Sequence, residues 1–308
     1  MQFERAIIIR DKTRLEQLIE RFNSKEQARF YIERLGSDFD HFQDEHDQFY
    51  KSLKIVENKV SSLFKTKTLN RSFLPTYIFT AEDLIIVIGQ DGLVANTAKY
   101  VNGQAIIAIN PDPGQYDGVL LPFNSNNFIT GVNDLAKDSA ILKSVTMAEA
   151  RLQDGQRLLA FNDFYIGASS HVSARYFISF QGKKEFQSSS GIIISTGAGS
   201  SGWLSSIFNM AYNMNQFTGQ KTKHQQAKLD WDAQKLIFVV REPFMSQVTQ
   251  VGIGFGTITN NQPLEIQSEM LNNGIIFSDG IEADFLSFNA GSKVTVGVAK
   301  EKAVLVWC

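Results

Sequence analysis

Two segments rich in glycine and hydroxyl side chains have the clearest potential for phosphate chemistry. The first, Gly89-Gln90-Asp91-Gly92, follows an apolar run and precedes a helix-compatible segment. Backbone N–H groups in such a turn, together with a helix N-terminus, can bind phosphate oxygens without a charged side chain. Asp91 would then be the carboxylate that faces the phosphate. The alternative for an Asp-Gly pair is a hairpin turn, which is the interpretation that suits Asp117-Gly118.

The second segment, Ser195-Thr196-Gly197-Ala198-Gly199-Ser200-Ser201-Gly202-Trp203, contains three glycines and four hydroxyl side chains. A flexible linker has a similar composition, but apolar residues on both sides favour a nucleotide-binding turn that Ser200 or Ser201 caps. Asn162-Asp163 comes at the end of an earlier strand pattern and is by itself a turn signal. We expect this pair to contact a ligand only if the other two segments do so.

The composition and the remaining motifs exclude several other classes of function. The net charge of −2 over 308 residues gives no reason to expect a nucleic-acid or membrane partner. The sequence has no Gly-Lys-Ser/Thr, which excludes a P-loop NTPase, and the Gly89–Gly92 turn is neither a GxGxxG motif nor a Walker A loop. The four histidines have no metal-ligand spacing, so we predict no protein metal site. The single cysteine, Cys308, and the lack of an apolar stretch of about 20 residues favour a cytoplasmic protein, and an organellar protein without its presequence would have the same features.

The elements that must position these segments differ between the two halves of the chain. Two apolar runs, 84–88 and 105–109, flank a helical pattern over 93–101, and this spacing predicts a parallel βαβ unit. Further helical patterns precede it. After about residue 122 the Asn- and Ser-rich stretch 124–133 is interpreted as a connection. Short strand patterns dominate beyond it, with one helix over about 200–214. We therefore predict an α/β domain over 1–123 and a β-rich domain over 124–308, the last residues being candidates to return to the first domain.

The three segments, in this order, resemble the motifs of the NAD kinase family: a Gly-Gly-Asp-Gly turn, an Asn-Glu pair and a Thr-rich Gly-Ser turn. The resemblance is closer to the mitochondrial-type members, because Asn110-Pro111-Asp112-Pro113 and Ser189-Ser190-Gly191 are also similar to that branch. It covers most of the chain. It implies an N-terminal α/β domain with a parallel sheet and a β-rich C-terminal domain.

The resemblance also implies an activity, a cofactor and a set of site residues. The activity is phosphoryl transfer from ATP, with Mg²⁺, to the 2′-hydroxyl of the NAD adenosine ribose, which gives NADP. Asp91 would orient and deprotonate that hydroxyl, and the protein would be a homodimer. The residues expected to bind nucleotide are Gly89, Gln90, Gly92, Asn110, Asn162, Asp163, Ser195, Thr196, Gly197, Gly199, Ser200 and Ser201.

Several positions depart from the family pattern and keep two other functions open. Gln90 adds a side chain where the family has glycine, and Leu93 replaces a threonine hydroxyl. Asp163 is one methylene shorter than the family's glutamate. A non-catalytic dinucleotide-binding or sensing protein is the first alternative. The second is a kinase for another hydroxylated substrate, because related diacylglycerol-type kinases share the Gly-Gly-Asp-Gly turn.

Overall fold

A computed structural model describes residues 3–220, 223–224 and 226–308. The chain forms two compact units. The first contains Met1–Lys143 together with Val304–Cys308, and the second contains Ser144–Ala303. No helix among the described residues is both long enough and apolar enough to cross a membrane.

Six α-helices and seventeen strands make up the regular structure of the described residues. The helices are α1 Arg14–Phe22, α2 Lys25–Arg34, α3 Phe39–Ser61, α4 Asp91–Ala98, α5 Phe128–Ala136 and α6 Trp203–Phe217. The strands are β1 Arg5–Arg10, β2 Lys65–Asn70, β3 Asp83–Ile88, β4 Ala105–Asn110, β5 Phe123–Asn124, β6 Ile141–Leu152, β7 Arg157–Ala160, β8 Asp163–Ala168, β9 Ala174–Phe180, β10 Lys183–Ser189, β11 Ile192–Ser195, β12 Lys235–Val240, β13 Phe255–Thr259, β14 Leu264–Ser268, β15 Gly274–Ser278, β16 Ile281–Ser287 and β17 Lys293–Trp307. Two short 3₁₀-helices, Arg71–Thr76 and Ala198–Ser201, complete the list.

The first unit is built on a parallel sheet whose strand order is β2-β1-β3-β4. On its other edge, β4 pairs with two strands. The last residues of β4 pair with β5, and its first residues pair with Val304 and Leu305 of β17. Strands β1, β3 and β4 are rich in Ile, and their central residues are all buried, as expected for a parallel sheet covered on both faces. The predicted β3-α4-β4 unit and its parallel pairing are confirmed.

Helix α3 packs on this sheet, while helices α1 and α2 pack with the start of α3 in a smaller cluster formed by Leu15, Ala28 and Phe39. Helix α1 begins with a capping box, in which the Thr13 hydroxyl accepts from Glu16 N and the Glu16 carboxylate accepts from Thr13 N. Helix α3 places Phe49, Leu53 and Val56 in the core that also contains the strand isoleucines. The sheet, and with it the carboxyl ends of its strands, is therefore held by a large apolar core.

The second unit contains two antiparallel sheets. The first includes the strand order β10-β9-β14-β17, and the second has the order β13-β12-β11-β8-β15-β16. Alternate residues of most of these strands enter one common core, for example Phe164 and Ile166 of β8 and Ile178 of β9. This alternation leaves Asp163 and Tyr165 on the other face of β8.

The structure corrects three expectations from the sequence. Residues 124–133 are not a plain connection, because they contain β5 and most of α5, whose residues Phe128 and Val132 are buried in the first core. The first unit consequently extends to residue 143 rather than ending at 123. The pair Asn162-Asp163 does not end a strand: the preceding strand stops at Ala160, and Asp163 begins β8.

Candidate nucleotide-binding turns

The Gly89-Gln90-Asp91-Gly92 turn lies at the carboxyl end of parallel strand β3 and leads directly into helix α4. Gln90 is the N-cap residue and Asp91 is the first helical residue, two positions before the predicted start. The turn is fixed by a hydrogen bond from Gly89 N to Ile109 O of the neighbouring strand (3.2 Å). A strand end followed by a helix N-terminus is the arrangement at which open α/β sheets bind anionic ligands.

The Asp91 carboxylate is half-exposed and already accepts two backbone hydrogen bonds. Leu120 N donates to Oδ1 (2.9 Å) and Val119 N donates to Oδ2 (3.1 Å). These bonds hold the loop after β4 against the turn. A carboxylate can accept about four hydrogen bonds, so acceptor capacity for a substrate hydroxyl remains.

The same loop is organised by Asn110, the last residue of β4. Its amide donates to Tyr116 O (2.9 Å), and its Oδ1 accepts from Asp112 N (3.0 Å). The buried Ser52 hydroxyl of α3 adds a bond to Pro111 O (2.7 Å). Asn110 is itself almost fully buried. Its side chain therefore shapes the loop and has both polar ends satisfied by protein.

Gln90 and Gly92 are both at the surface of this turn, but only Gln90 has a side chain that reaches a neighbouring residue. Both are exposed, and a Cβ built at Gly92 would meet no atom within 4 Å. Burial raises the pKa of Tyr116, and a hydrogen bond with the Gln90 side chain partly offsets this rise. The extra side chain at position 90 thus reaches a tyrosine of the Asn110 loop.

The second glycine-rich segment forms a tight turn between β11 and α6, and its hydroxyls are largely used within it. Thr196 Oγ1 donates to Phe161 O (2.6 Å) and accepts from Gly199 N (3.2 Å), while Thr196 N donates to Asn162 O (2.9 Å). Ser200 Oγ donates to Gly197 O (2.7 Å). Ser195, Thr196 and Ser200 are all buried.

Two glycines of this turn are required by close backbone packing. A Cβ at Gly199 would overlap the Asn162 carbonyl oxygen and would lie 2.6 Å from its carbon. A Cβ at Gly197 would overlap the Asp230 carbonyl in the same way, at 2.7 Å from its carbon. The glycines therefore let the turn approach the Asn162 peptide and residue 230, which a flexible linker would not do.

Asp279 is a residue of this region that sequence reasoning did not single out as functional. Its carboxylate accepts from Asn162 N (2.6 Å), Phe161 N (3.0 Å) and Asp163 N (3.3 Å). The signal in the sequence is the Asp279-Gly280 pair, which forms the hairpin turn between β15 and β16 with φ values of +55° and +69°.

The carboxyl of Asp163 has a strongly raised pKa. Burial, and secondly the charge of Asp279, raise the pKa of Asp163 to about 7. No hydrogen bond or ion pair joins the carboxyl of Asp163 to another described residue. A carboxyl of this kind can donate or accept near neutral pH, which is typical of groups that contact ligands.

Helix α6 is anchored beside the turn by an aromatic stack. The Trp203 ring lies parallel to Tyr165, with centroids 6.1 Å apart and an interplanar angle of 7°, and Arg241 lies over Trp203 at 5.4 Å. Tyr165 in turn rests on Gly167 and Gly191, where a Cβ would lie 2.6 Å from its ring or hydroxyl. Trp203 therefore fixes the start of the helix.

The predicted residues fall into two groups, one in each unit. Gly89, Gln90, Asp91, Gly92 and Asn110 come together in the first unit. Asn162, Asp163, Ser195, Thr196, Gly197, Gly199, Ser200 and Ser201 come together in the second. In the second group, the Ser201 hydroxyl is exposed, and the Asn162 amide and Asp163 carboxyl are half-buried without a described protein partner for their side chains. These three polar groups are the ones available to a ligand.

The described residues contain no cluster of three or more His, Cys, Asp or Glu side chains that could hold a metal ion. Magnesium in phosphoryl-transfer sites is commonly held by substrate phosphates with one or two carboxylates.

Comparison with known structures identifies the fold. An NAD kinase from Archaeoglobus fulgidus, solved with ATP, is similar over 98% of this chain and 93% of its own, with a TM-score of 0.56 and 14% identity. Yeast NADH kinase, solved with NADH, is similar over 100% of this chain and 84% of its own, with a TM-score of 0.59 and 13% identity. The chain has the NAD kinase fold, as the sequence motifs predicted. No family model matches the sequence, and no curated protein matches it significantly.

Proposed function

We propose that the protein is an NAD kinase, which transfers a phosphoryl group from ATP to the 2′-hydroxyl of the adenosine ribose of NAD. The observation that carries the proposal is the position of Asp91. This carboxylate stands at the end of a parallel strand, next to a helix N-terminus, in a fold shared with two NAD(H) kinases. The solved neighbours hold ATP in one case and NADH in the other.

In this reaction the residues of the chain would have distinct roles. The Gly89–Gly92 turn would bind phosphate through backbone N–H groups, and Asp91 would orient the ribose hydroxyl and accept its proton. Asn162, Asp163 and Ser201 would hydrogen-bond the dinucleotide, while the buried Thr196 network keeps the turn rigid. Magnesium, brought by the donor phosphates, would neutralise charge on the transferred group. A cytoplasmic homodimer is part of the same proposal.

The role of Asp91 can be tested with a matched pair of variants. In Asp91→Asn the side chain keeps an oxygen for one backbone N–H but loses the proton acceptor, so NADP formation is expected to fall by about 10²–10⁴. Affinity for NAD, measured by calorimetry, is expected to change far less. Asp117→Asn, at an exposed residue of the same loop, is the control and should keep wild-type turnover. Equal turnover in the two variants would remove Asp91 from the mechanism.

A non-catalytic dinucleotide-binding protein is the second candidate, and two observations favour it. Both Asp91 oxygens already accept backbone hydrogen bonds, and the Gln90 side chain contacts Tyr116 beside the turn. This candidate predicts binding of NAD or NADP without turnover. In that case the Gln90→Gly/Leu93→Thr double variant should gain NADP-forming activity if the rest of the site is competent.

A further inference from the structure

The tip formed by Asn162 and Asp163 is held by a residue outside its own strand. Three consecutive backbone N–H groups, those of Phe161, Asn162 and Asp163, point at the Asp279 carboxylate. In return Asp279 N donates to Asp163 O (3.0 Å). A short hairpin turn needs none of these side-chain bonds, since Asp-Gly forms it through backbone preference alone.

Two carboxylates are thereby brought together, and they are not equivalent. Hydrogen bonds from backbone N–H groups favour the ionised form of a carboxylate, and Asp279 accepts three of them. The side chain of Asp163 has no such donor among the described residues. When one of the two carboxyl groups is protonated, it is therefore that of Asp163. Burial, together with the Asp279 charge, raises the pKa of Asp163 to about 7.

Among the described residues, Asp279 is the charged group that acts on Asp163, and Arg241 acts on the neighbouring Tyr165. Strand β11 places Ser195 opposite Asp163, and β15 places Ser278 opposite the adjacent Phe164. The next residue of β8 on the same face is Tyr165. The Thr196 turn contributes only hydroxyls and glycines.

We propose that Asp279 is a positioning residue, which fixes the Asn162–Asp163 tip and, by keeping its negative charge there, makes dinucleotide affinity depend on protonation of Asp163. This inference rests on the dinucleotide-binding part of the proposed function but not on turnover. A dinucleotide brings a negatively charged pyrophosphate, so a second carboxylate charge beside Asp279 opposes its binding. Affinity is therefore expected to fall as the pH rises through 7.

The test is calorimetric titration of the full chain with NADP between pH 6 and pH 8. If the protonated form alone binds, linkage to one proton gives a loss of affinity of about tenfold over this range. Asp163→Asn leaves the Asp279 clamp intact and should bind with nearly constant affinity. In Asp279→Asn, where an Asn-Gly pair preserves the turn type, the midpoint should move to lower pH. Asp154→Asn, in an exposed Asp-Gly turn elsewhere in the unit, should behave as wild type.

Each outcome has a defined meaning. The inference is overturned if the affinity of the wild-type protein for NADP does not depend on pH, or if Asp163→Asn shows the same pH dependence as wild type. Neither result bears on the proposed NAD kinase activity. NADP formation, assayed in parallel at pH 7, reports separately on the proposed function. If no dinucleotide binds at any pH, the inference and the binding part of the proposed function both fail. If Asp279→Asn does not fold, the Asp163→Asn profile alone decides.

Discussion

Replacement of Gly199 by alanine should damage the second glycine-rich turn in a way that the structure allows us to estimate. The new Cβ would lie 2.6 Å from the Asn162 carbonyl carbon and 3.0 Å from its Cα, whereas ordinary contact begins at 3.4 Å. The obstructing atoms are backbone, so no side-chain rotation can relieve the overlap. The backbone must move by most of an ångström, either at the turn or at Asn162.

The cost follows from what such a movement breaks. Overpacking of a closely packed region costs about 1–3 kcal/mol. The Thr196 N to Asn162 O and Gly199 N to Thr196 Oγ1 hydrogen bonds lie across the same contact and are worth about 1 kcal/mol each. We therefore expect Gly199→Ala to lower the free energy of unfolding by about 2–4 kcal/mol, with weakened binding of NAD.

The assay is urea unfolding of the full chain, followed by tryptophan fluorescence, because Trp203 adjoins the turn. Gly92→Ala is the matched control for stability. A Cβ there meets no atom within 4 Å, and the residue lies in the first turn of α4, so alanine should be neutral or stabilise by up to about 1 kcal/mol. If Gly199→Ala unfolds at the same urea concentration as wild type, the close approach to Asn162 is not a feature of the folded protein.

Substitutions at three other residues test the energetics of the fold. Thr196→Val removes a buried hydroxyl that donates to Phe161 O and should cost about 1–3 kcal/mol in urea unfolding, whereas Thr196→Ser should cost less; equal losses would contradict the role of the hydroxyl. The pKa of Asp163 is about 7 in the fold against 3.8 ordinarily, so its ionisation destabilises the fold as pH rises. The stability gained by Asp163→Asn should increase by about 2.5 kcal/mol from pH 5 to pH 8, and a gain that shrinks over this range would refute the assignment. Although burial opposes it, hydrogen bonds from Arg10, Thr13 N and Tyr50 lower the pKa of Glu16 to about 2, below its usual 4.5. The loss of unfolding free energy in Glu16→Gln should therefore be complete above pH 4.5 and should disappear towards pH 2, as measured by acid unfolding. A loss that does not depend on pH would exclude the ionised carboxylate as its cause.

The fold was largely predictable where the hydrophobic pattern was continuous. The buried runs of β3 and β4 and the spacing between them were sufficient for the βαβ unit, and the Gly89–Gly92 turn followed from its position after β3. Strand β2 is not apparent from the sequence, because Lys65, Thr66 and Lys67 are polar and give no hydrophobic pattern. It is an edge strand that pairs with β1, and its outward residues need not be apolar.

The site was predictable in its residue types but not in how those residues are used. The hydroxyls of Ser195, Thr196 and Ser200 suggested ligand contacts, yet they are buried and donate to carbonyl oxygens of the turn or, for Thr196, of Phe161. The clamp by Asp279 joins residues more than a hundred positions apart, and no local pattern reports such a contact. Tertiary hydrogen bonds of this kind appear only when the strands are placed side by side.

The most direct test of the account is whether the full chain makes NADP. The protein is incubated with NAD, ATP and magnesium, and the product is measured with a dehydrogenase that accepts NADP but not NAD. The account predicts NADP that accumulates in proportion to enzyme and is strongly reduced in Asp91→Asn. Binding of NAD without any NADP, whatever nucleoside triphosphate is supplied, would contradict it and favour the non-catalytic alternative.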